Sequence, residues 1–83
     1  MPSAFMMLSC HIGKEHSVRD ALHKIPGVIE AEFVYGGYDI AVQLAADTTA
    51  EIKQGLIREI KRIEGITSSI ALIKKEQDAH ASA

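Results

Sequence analysis

Two short segments of this 83-residue sequence gather groups suited to a small polar molecule: Gly36-Gly37-Tyr38-Asp39 and Thr67-Ser68-Ser69. A glycine pair frees backbone N–H groups at a turn, Asp39 offers a carboxylate to an ammonium, and the three hydroxyls suit a carboxylate. Together they complement a small zwitterion. The plainer reading is that Gly36-Gly37 only makes a turn and that Thr67 and Ser69 are ordinary strand residues.

Metal ligation is the second chemistry to weigh, because Cys10, His11, His16 and His23 lie close in sequence. Consecutive strand residues point to opposite faces, so Cys10 and His11 do not chelate together readily. His16 and His23 stand two helical turns apart, roughly 10 Å along the axis, too far for one ion. His16 and Asp20 share a helix face, but two ligands make a weak site. A site shared between copies of the chain remains open, with His11, Cys10, Glu30, Glu32 or Asp39 as ligands for copper or zinc. Catalysis has the least support. No nucleophile and base stand at a recognisable spacing, no phosphate-binding glycine motif is present, and no cofactor is implied. The cationic residues Lys53, Arg58, Lys61 and Arg62 alternate with Glu51 and Glu59, the pattern of a solvated helix face.

The elements that must position these groups follow from hydrophobic periodicity. Ala4–Ile12 reads as a strand. Lys14–Ile25 carries Val18, Ala21, Leu22 and Ile25 as one helical stripe, ended by Pro26-Gly27. Val28–Tyr35 and Tyr38–Ala46 read as strands joined by a two-residue Gly36-Gly37 turn. Thr48 and Glu51 fit a capping box for a second helix with Ile52, Leu56, Ile60 and Ile63 on one face, and Gly65 ends it. Ile66–Lys74 is the fourth strand. A shift of 38 residues lays Lys24-Ile25-Pro26-Gly27-Val28 over Arg62-Ile63-Glu64-Gly65-Ile66, which marks an internal repeat. Two βαβ units joined by a hairpin make a ferredoxin-like βαββαβ sandwich of the α+β class: a four-stranded antiparallel sheet with two helices on one face. Its strand order, 4-1-3-2, brings His11, the glycine turn and Thr67–Ser69 to one end.

The turn sets a register that sorts side chains by face. Tyr35 opposes Tyr38, Phe33 opposes Ile40, Ala31 opposes Val42 and Ile29 opposes Leu44, all beneath the helices. The helix-free face then carries Glu30, Glu32, Val34, Asp39, Ala41 and Gln43. Phe5, Met7, Ser9 and His11 join it from the first strand, with Thr67, Ser69, Ala71 and Ile73 from the last. Phe5, Met7, Val34 and Ile73 are too apolar to leave wet, so this face is expected to meet a second protomer.

Composition agrees. A chain this short is 47% hydrophobic and has one cysteine, so no intrachain disulfide reinforces its small core, and association is the usual remedy. Taking Glu76 and Asp78 of the terminal stretch from the eleven acidic residues leaves nine, equal to the nine Lys and Arg. A neutral body lacks the basic excess of an autonomous nucleic-acid binder. No apolar run spans a bilayer and Met1-Pro2-Ser3 opens no signal peptide, so a cytoplasmic protein is expected. Residues 1–75 are expected to form the domain and 76–83 a flexible tail.

Several of these segments together resemble a known family. Gly13-Lys14-Glu15, Lys24-Ile25-Pro26-Gly27-Val28, Gly36-Gly37-Tyr38-Asp39-Ile40, Leu56-Ile57-Arg58-Glu59-Ile60 and Ile63-Glu64-Gly65-Ile66-Thr67-Ser68-Ser69 are similar to the effector-binding, or RAM, domain of Lrp/AsnC transcription regulators. The resemblance covers about residues 4–75. It implies sheet-to-sheet dimers, rings of dimers, and small effectors, typically amino acids, bound between dimers. It places the effector near Gly36, Gly37, Tyr38 and Asp39 and near Thr67, Ser68 and Ser69. Full regulators also carry an N-terminal helix-turn-helix domain, whereas this sequence opens on the first strand, so direct DNA recognition is not transferred. The expectation is a non-enzymatic homo-oligomer that senses an amino acid, or that joins full-length regulators and modulates them. The rivals are a metal-binding protein on the same scaffold and a dimeric ferredoxin-like monooxygenase.

Overall fold

The computed structural model describes residues 1–74. The tail expected over 76–83, and its boundary at 75, lie outside the described residues. The elements are β1 (Ser3–Cys10), α1 (Glu15–His23), β2 (Val28–Phe33), β3 (Ile40–Ala45), α2 (Thr49–Glu51), a π-helical segment Ile52–Leu56, α3 (Ile57–Lys61) and β4 (Ile66–Ile73). α2, the π segment and α3 run on as one second helix. The sheet is antiparallel throughout in the order β2-β3-β1-β4, the expected ferredoxin-like topology. Among the described residues no helix is long and apolar enough to cross a membrane.

One face of the sheet and both helices share a single core. Ala4, Met6 and Leu8 of β1, and Ile40, Val42 and Leu44 of β3, are buried against Val18 and Leu22 of α1 and Ile52, Ile57 and Ile60 of the second helix. The alternation along β1 and β3 makes this face, as period-two patterning requires. The second helix departs from its expected stripe. The Ile57 N–H donates to the Ile52 carbonyl five residues back, and this wider turn inserts one extra residue into the helical count. Ile57 therefore takes the core place that a regular helix gives to Leu56. Leu56 swings sideways onto Gly27, where an added Cβ would stand 2.8 Å from Leu56 Cδ1. Gly27 has φ +101°, a region that side chains rarely enter, so the close approach and the turn both require glycine.

The internal repeat is physical as well as textual. Lys24, Ile25 and Val28 donate backbone bonds to Ala21, Leu22 and Ile25, and Arg62, Ile63 and Ile66 donate the same three bonds to Glu59, Ile60 and Ile63. Each half thus ends its helix and starts its next strand through one turn design.

Register corrects three expectations. Phe33 opposes Ile40 and Ala31 opposes Val42 as expected, but a shift between Val28 and Glu30 pairs Val28, not Ile29, with Leu44. Ile29 is displaced into solvent, 57% exposed. The hairpin also opens sooner than a two-residue turn would. The ladder stops at Phe33–Ile40, its last bond runs from Val34 N–H to the Asp39 carbonyl, and Tyr35 is fully exposed rather than beneath a helix. Finally, β4 has the opposite parity. Phe5 pairs with Leu72, Met7 with Ile70 and Ser9 with Ser68, so Ser68, Ile70 and Leu72 occupy the helix-free face while Ser69, Ala71 and Ile73 turn toward the helices. The apolar excess of that face is Phe5, Met7, Ile70 and Leu72, with Ile70 43% and Leu72 62% exposed.

Candidate functional site

The end of β1 lies between the two segments singled out by their chemistry. On its β3 side the Asp39 N–H donates to the Leu8 carbonyl at 2.8 Å, and Asp39 Oδ2 accepts the Cys10 N–H at 2.8 Å. Ser9 Oγ donates to the Gly37 carbonyl at 3.3 Å, which ties the glycine turn to the same strand. On its β4 side Ser9 opposes Ser68 and Cys10 opposes Ile66, with a register shift between them that leaves Thr67 without a strand partner. The His11 N–H donates to the Gly65 carbonyl at 2.8 Å and closes this side.

Gly36, Gly37, Tyr38, Asp39, Thr67, Ser68 and Ser69 therefore do meet at one end of the sheet, but not on one face. Ser68 lies with Ser9 on the helix-free face, Ser69 opposes Leu8 on the helix-facing side, and Thr67 sits at the bulge. Asp39 has one oxygen, Oδ2, already engaged by backbone, and among the described residues Oδ1 makes no hydrogen bond. Ser9 also lies at this end, tied to the turn by its hydroxyl, and its residue type alone does not single it out. Its parity with Phe5 and Met7, which puts it on the helix-free face, is the signal that could have found it.

The electrostatics at this end center on Cys10. Burial pushes its thiol up from the ordinary value, and the Asp39 and Glu15 carboxylates push it further, so the group is a neutral thiol at physiological pH. The metal set considered from sequence is not brought together within the chain. Cys10 packs against the core on the helix side. Glu30 and Glu32 line a shallow depression with Phe5, Ala41 and Gln43 on the other face. His11 is exposed beyond the end of β1. Among the described residues no three His, Cys, Asp or Glu side chains cluster. His16 serves packing instead: its ring meets Phe33 edge-on at 4.8 Å, and the Arg19 guanidinium covers that ring at 4.7 Å while its Nε donates to the Ala31 carbonyl.

A family model described as the Lrp/AsnC ligand binding domain matches residues 3–78. An uncharacterized HTH-type transcriptional regulator of Pyrococcus furiosus is 27% identical over 59 residues, which cover 71% of this chain and 39% of that protein. The chain thus spans well under half the length of that relative. Among solved structures, the crystal structure of FFRP-DM1 matches with a TM-score of 0.84 and 32% identity, covering 90% of this chain and 100% of that one. A Neisseria meningitidis transcriptional regulator, solved as an L-Met complex, matches with a TM-score of 0.75 over 95% of this chain and 53% of that one. Its identity of 15% makes that a likeness of fold alone.

Proposed function

Since the chain belongs to the Lrp/AsnC ligand-binding domain family, a regulatory ligand-binding domain rather than a catalytic one, we propose that it senses an amino acid at the glycine-turn end of its sheet and does so as an oligomer. The observation that carries this reading is the convergence of the Gly36–Asp39 turn, Ser9 and Ser68 around the end of β1. Turn amides and hydroxyls there suit a carboxylate, and Asp39 Oδ1 suits an ammonium. The fold neighbour solved with L-Met supports an amino acid as the ligand class.

Oligomerisation enters for a physical reason. Tyr35, Gly36 and Gly37 are exposed, so a molecule resting on the turn is enclosed when a second copy lies over it. The apolar strip of Phe5, Met7, Ile70 and Leu72 provides the face for pairing sheet to sheet, with Glu30 and Glu32 set to one side on β2. Pairs then assemble into rings, and the effector favours whichever assembly completes its site. Mixed assembly with full-length regulators of the family in the cytoplasm is the route by which such a domain acts on transcription.

Thermal-shift measurement with each of the twenty amino acids at millimolar concentration tests the ligand. A rise in melting temperature with one or a few of them is expected, and no rise with any would contradict the proposal. Light scattering of Ile70→Asp tests the pairing face. The variant should scatter with the mass of a monomer where the parent is a dimer or larger, and a monomeric parent would refute the assembly.

A further inference from the structure

Asp39 stands where the β1–β3 ladder ends. The last paired residues are Leu8 and Ile40, and beyond them no β3 carbonyl is in register to receive the Cys10 N–H. Asp39 substitutes for the missing strand. Its carbonyl accepts from Val34, its N–H donates to Leu8, and its carboxylate accepts from Cys10, so one residue is bonded both to the chain just past β2 and to β1. The Cys10 N–H falls at the Ser9/Cys10 step, the same step at which the register with β4 shifts and Thr67 loses its partner.

The geometry points to Asp39 as a positioning residue: by holding the Cys10 peptide it fixes the glycine turn on one side of β1 relative to Thr67–Ser69 on the other. Its functional meaning rests on the effector-site reading above, while the latch itself does not. A carboxylate is the strongest acceptor available for a lone amide, because a charge-assisted bond is shorter and stronger than a neutral one. The Ser9 Oγ to Gly37 contact at 3.3 Å is the weaker second tie. An ammonium placed at Oδ2 would compete with Cys10, so a ligand reaches this carboxylate through Oδ1 and perturbs the latch as it does so.

Amide hydrogen exchange by NMR, with Asp39→Ala and Asp39→Asn beside the parent chain, decides the matter. Relative to the amide of Met6 in the core, the Cys10 amide should exchange about tenfold faster or more in Asp39→Ala and only a few-fold faster in Asp39→Asn, which keeps a neutral acceptor. The Thr67, Ser68 and Ser69 resonances should move in Asp39→Ala although β1 stands between. Unchanged Cys10 exchange, or unmoved Thr67–Ser69 signals, would overturn the latch. Should Asp39→Ala not fold, the Asn variant still decides, since a Cys10 amide no faster than the parent's contradicts the proposal. Melting-temperature response to the twenty amino acids supplies the functional arm: Asn should recover most of what Ala loses. Loss in both variants with Cys10 still protected in Asn would reduce Asp39 to the ammonium's partner and overturn its positioning role. If the parent chain responds to no amino acid, the effector reading fails, and the exchange data still judge the latch.

Discussion

The two ends of the sheet are built from repeated parts and finished differently. At one end the Gly27 carbonyl accepts from Ala45, the terminal residue of β3, and Leu56 packs over the glycine. At the other the Gly65 carbonyl accepts from His11, just past β1, and Lys14 and Val18 lie beside the glycine. The first end is finished as scaffold: Thr48 Oγ1 accepts the Glu51 N–H and caps the second helix. The second end has no side-chain cap on α1, whose N-cap is Lys14, and its carboxylates accept strand and loop amides instead, Asp39 the Cys10 N–H and Glu15 the Gly13 N–H. It also carries the exposed Gly36-Gly37 turn, where an added Cβ would meet nothing within 4 Å. A duplicated supersecondary unit thus keeps one end for stability and leaves the other loosely enclosed, which suits the binding role proposed for it.

Substitutions that treat the two ends alike should sharpen this contrast. The largest effect is expected at Gly27, where alanine adds a Cβ 3.1 Å from the Ala45 carbonyl oxygen at a positive φ. Gly27→Ala should cost about 2–4 kcal/mol in chemical denaturation, from backbone strain plus overpacking. Gly36→Ala meets only the strain and should cost about 1–2 kcal/mol. Equal losses at both would break the comparison. Next in size is the cap: Thr48→Ala should lose about 1 kcal/mol, whereas Lys14→Ala, which removes no cap, should stay within about 0.5 kcal/mol of the parent. The smallest effect concerns the thiol. Asp39→Asn removes a charge that raises the Cys10 pKa, so alkylation by iodoacetamide near neutral to mildly alkaline pH should speed up. Because the folded thiol titrates above its ordinary value of 9.0, its contribution to stability is complete below that pH and is lost as pH rises through the raised native value. Cys10→Ala should remove that part of the alkaline decline.

The topology was legible because periodicity, glycine stops and the 38-residue repeat all agree on βαββαβ. Of the central strands β3 was legible from Ile40, Val42 and Leu44, whereas Ala4–Leu8 is apolar on both faces and periodicity alone leaves its parity open. What escaped is local and has local causes. The parity of β4 hinges on the bulge at Thr67, which no composition signal marks, and Ile66–Ile73 is mixed on both faces. Ile29 escaped because a strand bulge moves one residue without altering the pattern around it. Leu56 and Ile57 exchanged places through one π-helical turn. In the site, the gathering of the turn with Thr67–Ser69 followed from strand order alone, whereas the Asp39–Cys10 bond depends on where a ladder stops, a matter of ångströms rather than of residue types.

The most direct measurement is a ¹H–¹⁵N NMR titration of the parent chain with the amino acid that raises its melting temperature most. Shifts should concentrate at Gly36–Asp39, Ser9, Cys10 and Thr67–Ser69 and leave Gly27, Ala45 and Thr48 in place. Shifts concentrated at Gly27, Ala45 and Thr48, or none at saturating ligand, would contradict the assignment of function to the glycine-turn end.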